Sequence, residues 1–125
     1  TTNGNTSTVT QTFFAAAKSD RDATRESEFL YLDAIMNSDT ATDVAKKTAQ
    51  EQKLALVERM EKELALETLI KSKGFEDVIV TIGDKGVSIV VGSEQLTAEQ
   101  ANRILSVVVS ETTFKATDVN VIPYN

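Results

Sequence analysis

The sequence predicts an α+β domain with the element order α-α-β-β-α-β, in which a long N-terminal helix precedes a three-stranded sheet that has helices on one face. The prediction comes from the spacing of the apolar residues, which follows a helical period up to about residue 73 and then alternates at every second position. A further helical segment and a last alternating segment follow. Because three strands are too few to form a barrel or a sandwich, the amphipathic helices must cover the sheet.

The composition limits the chemistry open to the chain. Its 125 residues fit one domain, and they include no Cys and no His, which excludes thiol nucleophiles, zinc fingers, haem ligands and Ser-His-Asp triads. Carboxylate pairs such as Glu61 with Glu63 remain, but we interpret them as solvated surface, since no pattern places two of them in one apolar pocket. The chain is therefore predicted not to be an enzyme, and neither a cofactor nor a metal is predicted.

The charge and the start of the sequence give expectations about partners and anchoring. With 13 basic and 19 acidic residues the net charge is −6, so nucleic acid is not an expected partner. Half of residues 1 to 12 are Thr and only Val9 is apolar, which predicts a flexible tether. The chain starts with Thr rather than Met, and we expect an upstream segment that held a signal or an anchor.

Residues 13 to 40 form the next predicted unit, a long helix that begins at Phe13, because no Gly or Pro interrupts the segment. Only its last turns carry a continuous apolar face, so these turns should pack on the core while the earlier ones extend past it. Phe13 and Phe14 would then lie far from the core, and they are candidate partner-binding residues. Arg21 and Arg25, on the earlier turns, form either a partner-binding site or an ordinary solvated face.

Residues 41 to 125 form the predicted main domain, which opens with a second helix up to about residue 73. Thr40 and Asp43 are expected to cap the start of this helix, and Gly74 is expected to end it.

Two strands then follow, over residues 78 to 82 and 87 to 91, where Val and Ile recur at alternate positions. Gly83-Asp84-Lys85-Gly86 between them is typical of a hairpin turn. The same four residues match the GxxG loop of KH domains, but in KH domains that loop joins two helices, and here it has no net charge. A KH-like nucleic-acid-binding module is therefore the alternative function, and it predicts salt-sensitive binding to single strands.

The third helix and the third strand complete the domain. Thr97 and Gln100 form a capping box, which predicts a helix from about residue 98 to residue 111. Residues 119 to 122 alternate as a strand, and Pro123 suits the end of a strand because it has no N–H to donate.

The sheet offers the first candidate partner-binding surface outside the first helix. If the strands pack one face on the helices, the opposite face displays Ile79, Thr81, Ser88, Val90, Asn120 and Ile122. Ile79, Val90 and Ile122 are branched aliphatic residues, and three helices do not easily cover both faces, so this surface is available to a partner. A β-branched surface kept only for strand propensity is the other interpretation, and both stay open.

The last strand offers a second candidate, because a strand near the edge of a sheet can accept a partner strand. Strand addition supplies main-chain hydrogen bonds and needs no charge steering, which suits an acidic domain. The predicted segment comprises Thr117, Asp118, Val119, Asn120, Val121 and Ile122.

Four blocks of the sequence resemble the extracytoplasmic domains of the SpoIIIAH sporulation family. They are RDATRESEFLYLDAIMNSD (21 to 39), EKELALETLIKSKGFEDVIVTI (61 to 82), GVSIVV (86 to 91) and LTAEQANRILSVVVSET (96 to 112). The resemblance spans about residues 13 to 124, and LETLIKSKGFEDV is its most specific part.

This resemblance implies a protein of spore-forming bacteria that is anchored in the mother-cell membrane by an N-terminal transmembrane helix outside the given sequence. It implies a domain in the space between mother cell and forespore that binds SpoIIQ, a forespore protein with a degenerate LytM-type peptidase fold. The family is also similar to ring-building proteins of type III secretion and flagellar basal bodies, whose α-β-β-α-β order matches the second helix onward. These likenesses imply self-association into a ring and a structural role in an intercellular channel, without catalytic residues.

Overall fold

The elements of the fold follow the predicted order. The computed structural model describes residues 3 to 124, with the side chains of residues 11 to 124. Its elements are α1 (Asn3–Met36), α2 (Asp43–Lys71), β1 (Val78–Ile82), β2 (Val87–Gly92), α3 (Ala98–Glu111), one turn of 3₁₀ helix (Ala116–Asp118) and β3 (Val119–Tyr124). The α+β class, the three-stranded sheet and the long N-terminal helix are confirmed, and so is the α-β-β-α-β order from α2 onward.

Helix α1 begins earlier than the sequence predicts. Residues 3 to 12, expected to be a flexible tether, are helical, while residues 1 and 2 lie outside the described part of the chain. Thr and Asn are weak helix formers, but a segment that extends an existing helix has no nucleation cost, and no Pro interrupts it. The structure therefore moves the start of the helix from residue 13 to Asn3.

Helix α2 is capped two residues later than expected. Thr42, not Thr40, is the N-cap residue, and its Oγ1 accepts a hydrogen bond from Ala45 N at 3.0 Å. After the helix, Gly74 has a φ of +106°, the left-handed conformation that favours glycine, as predicted.

The sheet has the strand order β1-β2-β3, which places β2 in the centre. β1 and β2 form an antiparallel hairpin, so the Gly83-to-Gly86 loop joins two strands as predicted. β3 runs parallel to β2, because α3 carries the chain back to the end at which β2 began. The Thr97 capping box at the start of α3 is confirmed, with hydrogen bonds of 3.0 and 3.1 Å between Thr97 and Gln100.

Two apolar clusters hold these elements together. The larger one packs α2 and α3 on one face of the sheet, and Leu66, Ile70, Ile89 and Ile104 are fully buried in it. The smaller one joins α1 to α2 and consists of Leu32, Ala49 and Leu56 with the partly buried Phe29, Ile35, Met36 and Met60. The last turns of α1 therefore pack on α2 as predicted, through a cluster separate from that of the sheet.

Candidate partner-binding site

The outer edge of β1 is closed by side chains. Glu67 Oε2 on α2 accepts a hydrogen bond from Val80 N at 2.9 Å, and Arg21 Nη1 on α1 donates to Val80 O at 2.6 Å. The same two side chains also bond each other, with 2.6 Å between Arg21 Nη1 and Glu67 Oε2. Both main-chain groups that Val80 directs away from β2 are thereby satisfied.

Two residues further along β1 the arrangement repeats. Glu63 Oε2 accepts from Ile82 N at 2.8 Å, Arg25 Nη2 donates to Ile82 O at 3.4 Å, and Arg25 Nη2 lies 2.9 Å from Glu63 Oε2. Arg25 and Glu63 are 6% and 2% exposed, so this is a buried ion pair that also bonds the main chain. Within residues 11 to 124, Arg25 Nη1 is the one buried side-chain nitrogen or oxygen without a hydrogen-bond partner.

The spacing of these side chains explains why they fit the strand. Arg21 and Arg25 are four residues apart on α1, as are Glu63 and Glu67 on α2, which corresponds to about 6 Å along a helix at 1.5 Å per residue. Val80 and Ile82, whose main-chain groups both point away from β2, are two residues apart, or about 6.6 Å along a strand. The spacing of the charged side chains on the two helices therefore matches the spacing of the residues on the strand. These side chains bond the edge of β1 as a fourth strand would.

This edge cap, formed by Arg21, Arg25, Glu63 and Glu67, corrects two predictions. The arginines do not project from an extended helix, since Arg25 is buried and Arg21 is only partly exposed. Glu63 is not solvated surface. The sequence contains a signal that finds the cap: two basic residues and two acidic residues, each pair with a spacing of four, lie on the inward faces of two long helices.

The opposite edge of the sheet, formed by β3, is open. β3 is the terminal strand in the order β1-β2-β3, and no element within residues 3 to 124 pairs with its outer side. The edge strand is shorter than the predicted segment, because Thr117 and Asp118 lie in the 3₁₀ turn and the strand begins at Val119. Val119, Asn120, Val121 and Ile122 belong to the edge strand as predicted.

The register shows which groups this open edge offers. Tyr124 O accepts from Ser93 N at 3.0 Å, so Tyr124 directs its main chain toward β2, and by alternation so do Ile122 and Asn120. Val119, Val121 and Pro123 consequently direct their main-chain groups outward. The missing N–H of Pro123 thus falls on the open side, where proline is tolerated.

The open edge is richer in acceptors than in donors. Val119 N already donates to Ala116 O in the 3₁₀ turn, and Pro123 has no N–H. Val121 N is therefore the outward donor of the edge, while the carbonyls of all three residues are directed outward. An added strand with N–H groups to donate fits this pattern.

The far face of the sheet, opposite α2 and α3, is covered more than predicted. Ile79 is buried at 5% exposure and Val90 is half-buried, whereas Asn120 and Ile122 are exposed. The cover comes from α1: a Cβ built on Gly92, which points to this face, would lie 3.5 Å from the Phe14 ring. Thr81 on β1 is also exposed, so this face stays accessible on its β3 side and at Thr81.

The aromatic residues of α1 are docked on the sheet and do not lie far from the core. The Phe13 ring stacks on Tyr124 with 3.8 Å between centroids and 10° between planes. Phe14, at 4% exposure, meets both rings edge-on, with centroids 5.3 Å from Phe13 and 6.2 Å from Tyr124. Tyr124 is not among the predicted site residues, because it lies outside the predicted strand.

None of the helices in residues 3 to 124 combines the length and the apolar character needed to cross a membrane. In the same part of the chain no three acidic side chains are grouped in a way that would hold a metal ion.

Comparison with known proteins identifies relatives of the chain. The family model described as SpoIIIAH-like protein matches residues 1 to 121. Stage III sporulation protein AH of Bacillus subtilis (strain 168) is 34% identical over 106 residues, which is 85% of this chain and 49% of that protein. The chain therefore spans about half the length of this curated relative.

A solved structure shares the fold. A chain in the structure of the SpoIIQ–SpoIIIAH pore-forming complex superposes with a TM-score of 0.80 and 33% sequence identity, covering 89% of this chain and 96% of that one. On the match of the family model to almost the whole sequence, the chain belongs to the SpoIIIAH-like protein family.

Proposed function

We propose that this domain is a non-enzymatic assembly module that binds SpoIIQ and contributes to a channel between mother cell and forespore. Its relative in the solved pore-forming complex assembles with SpoIIQ, and that relative has the same fold over most of this chain. The observation that carries the proposal here is the difference between the two edges of the sheet. Side chains occupy the edge of β1, while β3 presents its main chain.

Partner binding by strand addition at β3 follows from this difference. An incoming strand would bond Val121 N and the carbonyls of Val119, Val121 and Pro123. The exposed Ile122 side chain, with 40% of its surface accessible, lies beside this edge and adds an apolar contact. The net charge of −6 does not oppose such an interface, because main-chain hydrogen bonds depend little on long-range charge.

The proposal is tested with the SpoIIQ ectodomain of the same organism and the Val121→Pro variant, which deletes the outward donor. Val121→Ala is the matched control, because it loses the same side chain but keeps the N–H. We expect Val121→Pro to weaken binding at least tenfold in Kd beyond the effect of Val121→Ala, as measured by calorimetry on variants with native circular dichroism.

Hydrogen exchange checks the same point without a mutation. The amide of Val121 should exchange more slowly in the complex than in the free domain, whereas the amide of Asn120, already directed toward β2, should change little. Unchanged exchange at Val121 in a saturated complex would show that the partner binds elsewhere.

We also propose that copies of the domain associate laterally into a ring. In this arrangement the sheet and α3 of one copy contact α2 of the next. Leu54, Val57 and Leu64 lie on one side of α2 and are 60%, 36% and 65% exposed, which supports this surface as the contact. Such contacts are weak singly and gain strength when many copies share one membrane.

Membrane anchoring through an upstream helix and a location between the two membranes belong to the same proposal. Crowding the domain on a supported bilayer through an N-terminal tag should produce oligomers. Leu54→Glu with Leu64→Glu should abolish them, and Leu30→Glu, at an equally exposed position of α1, should not. A wild-type domain that stays monomeric at high surface density would rule out the lateral contact.

A further inference from the structure

The Phe13–Tyr124 stack joins the first described side chains of α1 to the last residue of β3. Tyr124 is held to β2 by its carbonyl, which accepts from Ser93 N, and its ring is held by Phe13 at 3.8 Å. Phe14 packs against both of these rings and lies beside Gly92. One aromatic cluster therefore fixes the end of the strand that presents the open edge.

The main chain at the end of β3 is held by its pairing with β2, and the Tyr124 side chain is held by the aromatic cluster. Pro123 donates no hydrogen bond, and the Ile122 side chain is 40% exposed. A stacked aromatic pair stabilises the contact beyond the burial of its area. The order of β3 and the docking of the α1 turns that carry Phe13 and Phe14 are thus parts of one equilibrium.

The rest of α1 has a separate attachment. Arg21 and Arg25 bond β1, and they lie at least seven residues beyond the aromatic pair, about 10 Å along the helix. Loss of the aromatic contact can therefore release the turns before Lys18, whose Nζ lies 4.0 Å from Glu67 Oε1, while the edge cap stays in place.

We infer that Phe13 is a positioning residue that couples the docking of the early turns of α1 to partner binding at β3. A partner strand that orders β3 also holds the Tyr124 ring in place for stacking on Phe13. By linkage, docking of α1 raises the affinity of β3 for the partner. The inference rests on the proposed binding of SpoIIQ at β3. The early turns of α1 thereby affect the affinity of the β3 edge for the partner, although they are not part of that edge.

The experiment compares amide exchange and SpoIIQ affinity in the whole domain. Saturation with the SpoIIQ ectodomain should slow exchange of residues 14 to 19 severalfold in the wild type. Phe13→Ala should abolish that slowing and raise the Kd about fivefold. Phe13→Tyr, which keeps the stacked ring, should restore both, and Leu30→Ala, at an exposed position of the same helix, should alter neither.

The outcomes separate this inference from the proposed function. If the wild type binds the ectodomain with protection at Val121 but residues 14 to 19 exchange as in the free domain, the coupling does not exist. The same holds if Phe13→Ala, folded and with its α1 turns exchanging freely, binds with the wild-type Kd. If the wild type does not bind at all, it is the proposed function that fails.

Discussion

Arg25 and Glu63 form a buried ion pair in which both partners also bond the main chain of one residue of the sheet. Arg25 Nη2 lies 2.9 Å from Glu63 Oε2, and Ile82 donates its N–H to Glu63 and accepts from Arg25 at its carbonyl. The pair therefore does more than neutralise two charges, because it also takes the place that a neighbouring strand would have at the edge of β1. This double role leads to three predictions.

Removal of the arginine should destabilise the domain strongly. Arg25→Ala removes the cation 2.9 Å from the buried Glu63 carboxylate and leaves only Arg21 Nη1, 4.0 Å from its other oxygen. Breaking a buried pair costs about 3–5 kcal/mol of the free energy of unfolding, and we expect the lower end of that range here. Arg59→Ala is the matched control, because the Arg59–Asp84 pair is exposed and contributes about 0–1 kcal/mol. Urea denaturation followed by circular dichroism measures both, and a loss below 1 kcal/mol for Arg25→Ala would contradict the edge cap.

Replacement of the whole pair by apolar residues should not restore stability. In many proteins a buried ion pair can be exchanged for apolar side chains without loss. Here Arg25→Met with Glu63→Leu leaves the N–H and the carbonyl of Ile82 buried without partners, at about 1–3 kcal/mol each. We therefore expect the double variant to remain at least about 2 kcal/mol less stable than the wild type. Wild-type stability in the same denaturation experiment would show that the main-chain bonds contribute little.

Opening of the β1 edge should cause self-association. Arg21→Ala with Arg25→Ala weakens the hold of α1 on β1 and frees the carbonyls of Val80 and Ile82, while their N–H groups stay bonded to Glu67 and Glu63. The freed carbonyls can accept from Val121 N at the β3 edge of another copy. We expect light scattering to detect oligomers that grow with concentration. Val121→Pro, added to the same variant, should suppress them by deleting the donor of the β3 edge. Oligomers that persist with Val121→Pro would point to a different interface.

A fourth prediction concerns the place where β3 begins beside β2. A Cβ at Gly86 would lie 2.3 Å from the carbonyl oxygen of Asp118, so Gly86→Ala requires the backbone to move. Overpacking of this kind costs about 1–3 kcal/mol. Gly83→Ala, in the same turn, has 3.8 Å to its nearest neighbour and should be close to neutral. Thermal unfolding distinguishes them, and equal melting temperatures would contradict the close approach.

The order of the elements could be predicted from the sequence because its signals are local. The change from a helical period to alternation located the two strands of the hairpin, and the Thr97–Gln100 pair located the start of α3. The candidate site was only partly predictable. The β3 segment was placed correctly from Val119 onward, but its pairing with β2, which decides that Val121 and not Asn120 faces outward, depends on the crossover through α3.

The sequence by itself determined the fold class, the absence of Cys and His and the alternating faces of the strands, since each depends on residue identity and short-range spacing. Only the tertiary structure decided which charges are buried. Arg25 and Glu63 lie 38 residues apart, and in the sequence each looks like part of a solvated helix face. They come together at the edge of β1 only in the folded chain. The burial of a charge depends on partners that meet only when the chain has folded, and here those partners determine which edge of the sheet is left for binding.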